Sequence, residues 1–291
     1  MNTKHIYVYC TVFFGIVACL FAGGTKDYTA NQTTSLPQRI VSLSPAATEI
    51  IFALGAGEKL VARTDFCNYP QEAQNIPSVG GFDGKSFSVE SIIAQNPDFV
   101  YASKNMHDYL KTPLESYGIQ IYLSDAQSFD AIFAEITDIS HIIGKEENGI
   151  ALITDMQNTL DIIKSKISIY EPKTLYWEIW NSPYMSIGAS SYLQEVIEYA
   201  GAKNIFSDIE QAYPVVSEEA IIAGNPDIII IPDDAPTSVE DIMARTGWHY
   251  IQAVQNADIY FFDADIISRP GPRLPLAVKL LAEKLFPDER F

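Results

Sequence analysis

The chain is short of cysteine, short of positive charge and without a long apolar run, and each shortage excludes something. Its three cysteines are Cys10, Cys19 and Cys67. Cys10 falls inside an apolar leader, so once Cys19 is lipidated or removed Cys67 stands alone and no internal disulfide can form; stability must come from the core. Lys and Arg number 19 against 37 Asp and Glu, a formal charge of −18. That balance argues against nucleic acid, whose phosphates need clustered basic side chains. It serves solubility, or an acidic surface for a basic partner. No Gly-x-Ser-x-Gly elbow, phosphate loop or His-Glu-x-x-His occurs, so the residues give no reason to expect an enzyme. The four histidines lack metal-ligand spacing. A site would have to be assembled from His107, His249 and carboxylates, and no metal is expected.

The first 24 residues read as a secretory signal: Lys4, an apolar run from Ile6 to Ala18, then small residues around Gly23 and Gly24. The run is short for a membrane span. Ile16-Val-Ala-Cys19 resembles a bacterial lipobox, which makes Cys19 the candidate lipidation site and the mature protein a periplasmic or cell-surface lipoprotein. Residues 25–37 are polar and without periodicity, as a tether would be.

What the rest of the chain has in plenty is repetition. Ser88-Val-Glu-Ser-Ile-Ile-Ala-Gln-Asn-Pro-Asp98 returns as Ser217-Glu-Glu-Ala-Ile-Ile-Ala-Gly-Asn-Pro-Asp227, identical at eight of eleven positions. Each copy predicts a short helix with Ser at its N-cap and Glu in its first turn, then an apolar strand, Phe99 to Ala102 or Ile228 to Ile231. A second echo pairs Glu49-Ile-Ile-Phe-Ala-Leu-Gly-Ala56 with Glu195-Val-Ile-Glu-Tyr-Ala-Gly-Ala202, both ending a helix at glycine. Two echoes in one order imply two similar α/β lobes, each a parallel sheet covered by helices, with one cleft between them. The N-terminal lobe is placed at 38–144 and the C-terminal lobe at 171–291. Between them, at 145–170, Ile150, Ile153, Met156, Leu160, Ile163 and Ile167 step by three or four, as one face of a bridging helix about 35 Å long must. A strand is predicted from Thr174 to Trp180 and a closing helix from Leu274 to Phe286.

Aromatic residues gather in loops after predicted strands, the edges that face a cleft in α/β lobes: Phe66, Phe82, Trp177, Trp180, Tyr184 and Tyr213. Broad flat side chains there suit a large planar or macrocyclic ligand. Strand alternation puts Trp177 and Trp180 on opposite faces, so at most one of them faces the ligand. Ser268-Arg-Pro-Gly-Pro-Arg273 fixes its backbone with two prolines and would hold Arg269 and Arg273 at set positions, either toward the ligand or as a cap on the final helix. Glu90 and Glu219 complement their helix dipoles. Their agreement between lobes follows from duplication and is compatible with a docking role.

Arg39-Ile-Val-Ser-Leu-Ser-Pro-Ala-Ala-Thr-Glu49, Asp65-Phe-Cys-Asn-Tyr-Pro70, Val79-Gly-Gly-Phe82, Asn96-Pro-Asp98 and the 268–273 loop together resemble the substrate-binding proteins of ABC importers for cobalamin and iron chelates, with the vitamin B12 branch most similar. The resemblance implies two lobes bridged by one long helix, no catalysis, no resident cofactor, and a ligand held between the lobes. It implies that Glu90 and Glu219 dock on the two permease subunits, and that Phe66, Phe82, Tyr213 and Arg269 lie where relatives place cleft residues. Ser103 departs from the pattern, since some relatives carry tryptophan there. Cobalamin or a related corrinoid is the expected ligand. The alternative is haem, with Tyr184, Tyr213 or His107 as axial ligand, or a ferric siderophore, for which six arginines are few.

Overall fold

The structure is a computed structural model and describes residues 35–81 and 87–291; Cys19 and Phe82 lie outside the described residues. Leu36–Phe291 form one compact unit, built on two four-stranded parallel sheets.

In the first lobe the strands are β1 (Ile40–Ser42), β2 (Leu60–Ala62), β3 (Phe99–Ser103) and β4 (Gln120–Ser124), in the order β2-β1-β3-β4. Helices α1 (Pro45–Ala53), α2 (Val89–Ile93), α3 (Lys111–Ser116) and α4 (Phe129–Ile143) join them, and α5 (Glu146–Ile167) follows. The second lobe has β5 (Lys173–Trp177), a small antiparallel pair β6 (Trp180–Asn181) and β7 (Tyr184–Met185), then β8 (Ala202–Asn204), β9 (Ile228–Pro232) and β10 (Ile259–Phe262). Its helices are α6 (Tyr192–Tyr199), α7 (Glu218–Gly224), α8 (Val239–Met243), α9 (Gln252–Asn256), α10 (Ala264–Ile267) and α11 (Leu274–Leu285). Its main sheet runs β10-β9-β5-β8. Counted within each lobe, both sheets place the second strand beside the first, then the third and fourth. The duplication read from sequence is thus a duplication of topology.

The repeated Asn-Pro-Asp shows how the two halves use the same chemistry. Asn96 and Asn225 both take left-handed backbone, with φ of 50° and 39°, a conformation asparagine tolerates better than other side chains. The aspartate two residues on then clasps the lobe's first strand. Asp98 accepts from the amides of Gln38 and Arg39 at 2.8 and 2.9 Å, and Asp227 from the amide and hydroxyl of Thr174 at 2.7 and 2.8 Å. The serines cap as their position requires: Ser88 accepts from Ser91 N–H at 3.0 Å and Ser217 from Ala220 N–H at 3.1 Å.

Strands covered by helices on both faces read as unbroken apolar runs, and Ile228–Ile231 are all buried. Helix α5 packs on α4 on one side and on α11 and α6 on the other, so it joins the two lobes. Met156, Leu160, Ile163 and Ile167 form its buried stripe as predicted, but Ile150 is 68% exposed. Gly149 takes the contact instead, because a Cβ there would meet the Ser140 side chain at 2.5 Å. The strand predicted from Thr174 to Trp180 stops at Trp177, and Trp180 starts the β6–β7 hairpin.

Candidate functional site

Strands β3 and β4 end at Ser103 and Ser124, and β9 ends at Pro232, so the C-terminal edges of both sheets face one cleft. A cavity of about 270 Å³ there is walled by Ser44, Phe66, Ser103 and Ser124 of the first lobe and by Asp234 and Arg269, among others, of the second. A neighbouring cavity of about 240 Å³ lies in the second lobe between Trp180, Leu193, Pro232 and Ile267. They share Asp234 and Ser268, and joined they reach about 500 Å³, within the roughly 300–1,000 Å³ of small-molecule sites.

Of the aromatic residues singled out from sequence, Phe66 and Trp180 line these cavities with exposed rings; Trp180 is 50% exposed. Tyr213 is exposed and hydrogen-bonds Tyr192, whose hydroxyl donates to the carbonyl of the wall residue Ile267 at 3.0 Å. Trp177 does not reach the cleft. It is fully buried, its ring 6.4 Å from that of Phe262, which corrects the expectation of a ligand contact. Tyr184 is half-buried and lines neither cavity, its ring 5.8 Å from Trp248 and 5.3 Å from the Arg245 guanidinium. Phe82 is outside the described residues.

Arg269 lines the cleft cavity but is largely buried. Only 6% exposed, it donates to Glu49 at 2.9 Å, to Asn68 Oδ1 at 2.8 Å and to the carbonyl of Phe66 at 3.2 Å, and pairs with Asp265. Arg273 donates to both oxygens of Glu49 at 2.7 and 2.8 Å and stacks 4.2 Å over Tyr69. The proline-bounded loop thus fixes its arginines, as predicted, to tie the second lobe to the first. That network of acceptors occupies the guanidinium of Arg269 where it lines the cavity. Glu49 carried a signal, its counterpart Glu195, which accepts from Phe129 N–H at the start of α4 at 2.6 Å. Both echoed glutamates therefore reach across to the other lobe.

In the wall of the second cavity Glu178, nearly sealed from solvent, takes a bidentate pair from Arg245 at 2.6 and 2.8 Å. Neither residue was marked by sequence, because nothing local relates positions 67 apart. His107 is buried and its Nδ1 accepts from Ser103 N–H at 3.1 Å. Burial pulls its pKa down to about 4, so the ring is neutral at ordinary pH. Among the described residues no group of three or more His, Cys, Asp or Glu is placed to hold a metal.

Glu90 and Glu219 stand exposed in the first turns of α2 and α7. The Glu219 carboxyl is held below the usual carboxylate range by hydrogen bonds from its own amide and from Ser217. Its neighbour Glu218 is half-buried and takes a 2.8 Å bond from Trp248 Nε1. At the matching place in the first lobe stands Val89, packed on the core. Of the paired acids 218 and 219, only the second has a counterpart facing solvent in the other lobe.

Residues 40–266 match the family model described as "Periplasmic binding protein". The chain belongs to this family. Its members are binding components of transport and not enzymes, and this chain is a substrate-binding protein of the ABC-transporter type. Such proteins take up small ligands and deliver them to a permease. The chain is 33% identical to an ABC transporter substrate-binding lipoprotein of Bacillus subtilis, YvrC, over 91% of this chain and 86% of that one. It is 30% identical to the vitamin B12-binding protein of Vibrio vulnificus, over 84% and 89%. Among solved structures it resembles the periplasmic vitamin B12 binding protein of Vibrio cholerae, with a TM-score of 0.73 and 28% identity over 86% and 96%. The haem-binding protein of the same organism superposes with a TM-score of 0.78 over 86% and 99%, at 23% identity, and that likeness shows the fold alone. No helix among the described residues is long and apolar enough to cross a membrane.

Proposed function

We propose that this protein is an exported, lipid-anchored receptor that binds cobalamin or a related corrinoid between its lobes and hands it to an ABC permease. The observation that carries the ligand is the charge state of the cleft wall. Both arginines of the 268–273 loop are consumed by Glu49 and its neighbours, so exposed aromatic faces and hydroxyl, carboxylate and backbone acceptors remain. A corrin ring offers a broad apolar face and a rim of primary carboxamides, which donate to such acceptors. Haem carries two propionates and catecholate siderophores carry more negative charge, and each calls for free cations. Of the haem-ligand candidates, His107 is buried and Tyr184 is packed beneath Arg245 and Trp248, which leaves Tyr213 alone. The B12-binding relatives support the same choice.

Delivery rests on Glu90 and Glu219, and anchoring on Cys19. Matching exposed acids on the two lobes suit a permease of two subunits that presents a basic group to each. The ligand claim is tested by calorimetric titration of the detergent-purified full chain with cyanocobalamin. Saturable one-to-one binding at micromolar ligand or below is expected, and a flat titration would overturn the corrinoid reading.

A further inference from the structure

We infer that Asp234 sets the charge selectivity of the cleft, admitting ligands with a neutral, hydrogen-bond-donating rim and turning away those with a carboxylate at that point. This rests on the corrinoid reading for its ligand. Among the described residues four charged side chains line the two joined cavities: Glu178, Asp234, Asp265 and Arg269. Glu178 is neutralised by Arg245. Arg269 is neutralised by Glu49 and by Asp265, which also accepts from Asn68 at 2.6 Å. Asp234 remains. It is exposed, follows the end of β9 at Pro232, and makes no hydrogen bond or ion pair among the described residues. Its neighbour Asp233 is occupied in another way, accepting from Ala264 N–H at 3.0 Å.

Position makes the free charge matter. Asp234 is one of only two residues shared by both cavities, the other being the neutral Ser268. A ligand filling both must therefore pass over it. A primary carboxamide or a cation there gains a charge-assisted hydrogen bond, whereas a carboxylate meets a like charge with no unpaired cation among the described lining residues to compensate. Exclusion by a repulsive group is a common source of specificity.

The test uses the full chain in detergent, as wild type, Asp234→Asn and Asp234→Lys, with thermal melts to establish that each variant is folded. Dissociation constants are measured for cyanocobalamin and for its derivatives in which one peripheral carboxamide is hydrolysed to the acid. Wild type is expected to favour the amide over at least one mono-acid by about tenfold or more, which is ~1.4 kcal/mol. Asp234→Asn should bring that ratio close to one, and Asp234→Lys should reverse it. A wild-type ratio near one, or a ratio unchanged in both variants, overturns the inference. If wild type binds no corrinoid, the corrinoid reading fails separately, and a neutral ferric hydroxamate is compared with haemin on the same three proteins. Preference for the neutral chelate, lost in Asp234→Asn, would still support the charge filter; preference for haemin in wild type would refute it.

Discussion

Glu49 of the first lobe and Arg273 of the second meet in a bidentate pair with both contacts at 2.8 Å or less, and Arg269 closes on the same carboxylate from a third side. The Glu49 side chain is 1% exposed. Its removal leaves two largely buried guanidiniums short of their main acceptor, the situation in which a buried ion pair is most costly to break. Glu49→Ala should lose ~3–5 kcal/mol of unfolding free energy. Urea denaturation checks this, and a loss under ~1 kcal/mol would mean that water replaces the carboxylate.

Glu195 is the counterpart of Glu49 in the second echo, but it receives a backbone amide and no arginine. A carboxylate on one amide at a helix start contributes less, ~1–2 kcal/mol. Glu195→Gln should therefore cost a fraction of what Glu49→Ala costs, measured in the same denaturant series. Equal losses would show that the Glu49 cluster is solvated or that Glu195 carries more than its one bond.

The acids of α2 and α7 separate by role. Glu90→Arg together with Glu219→Arg should abolish ligand uptake into cells or proteoliposomes while leaving the dissociation constant of the purified protein unchanged. Glu218→Gln should behave in the opposite way, lowering stability through the weakened Trp248 contact and leaving docking in place. Uptake that survives the double reversal would remove both glutamates from the docking surface.

Trp177 and Trp180 are three residues apart and make different predictions. Trp180→Ala removes an exposed indole from the cavity wall and should weaken cyanocobalamin binding tenfold or more, ~1.4–3 kcal/mol. Trp177→Phe should leave affinity alone. Its indole N–H is buried without a hydrogen-bond partner among the described residues, so losing that donor should cost little stability or none. Weakened binding in Trp177→Phe and none in Trp180→Ala would invert the assignment.

The fold was legible because duplication writes it twice. Ser88 and Ser217, Asn96 and Asn225, and Asp98 and Asp227 are local signals whose geometry depends on neighbours a few residues away or on one strand. The limits of α4, Phe129 to Ile143, are set locally, because Ser128 and Gly144 cap it by short-range chemistry. The site was legible only in part. That Arg269 would be rigid follows from its prolines, but its partners Glu49 and Asn68 lie 220 and 201 positions away, and no local pattern encodes that meeting. Trp177 and Trp180 were placed by strand alternation, yet the strand ends between them. Their separation into core and cleft comes from the hairpin that follows. Asp234 went unnoticed because a lone acid after a strand is ordinary; it gains meaning only when the other charges around it prove to be paired.

His107 gives the pH dependence. Its pKa in the folded protein is about 4 against the 6.5 of an ordinary imidazole, because burial disfavours the charged ring. Below pH 6.5 the unfolded chain takes up a proton that the folded chain refuses, so unfolding gains free energy and stability falls. The contribution is fully present above pH 6.5, declines as pH drops towards 4, and changes no further once both states are protonated. Other groups titrate in the same range, so the comparison needs a variant that keeps an acceptor for the amide of Ser103 without titrating. His107→Asn supplies one. Urea midpoints at pH 8, 7, 6, 5 and 4.5 should fall more steeply for wild type than for His107→Asn as pH drops below 7, with the curves parallel between pH 8 and 7. Parallel curves throughout would mean that folding leaves the titration of the ring unshifted, as when it opens to water before it titrates.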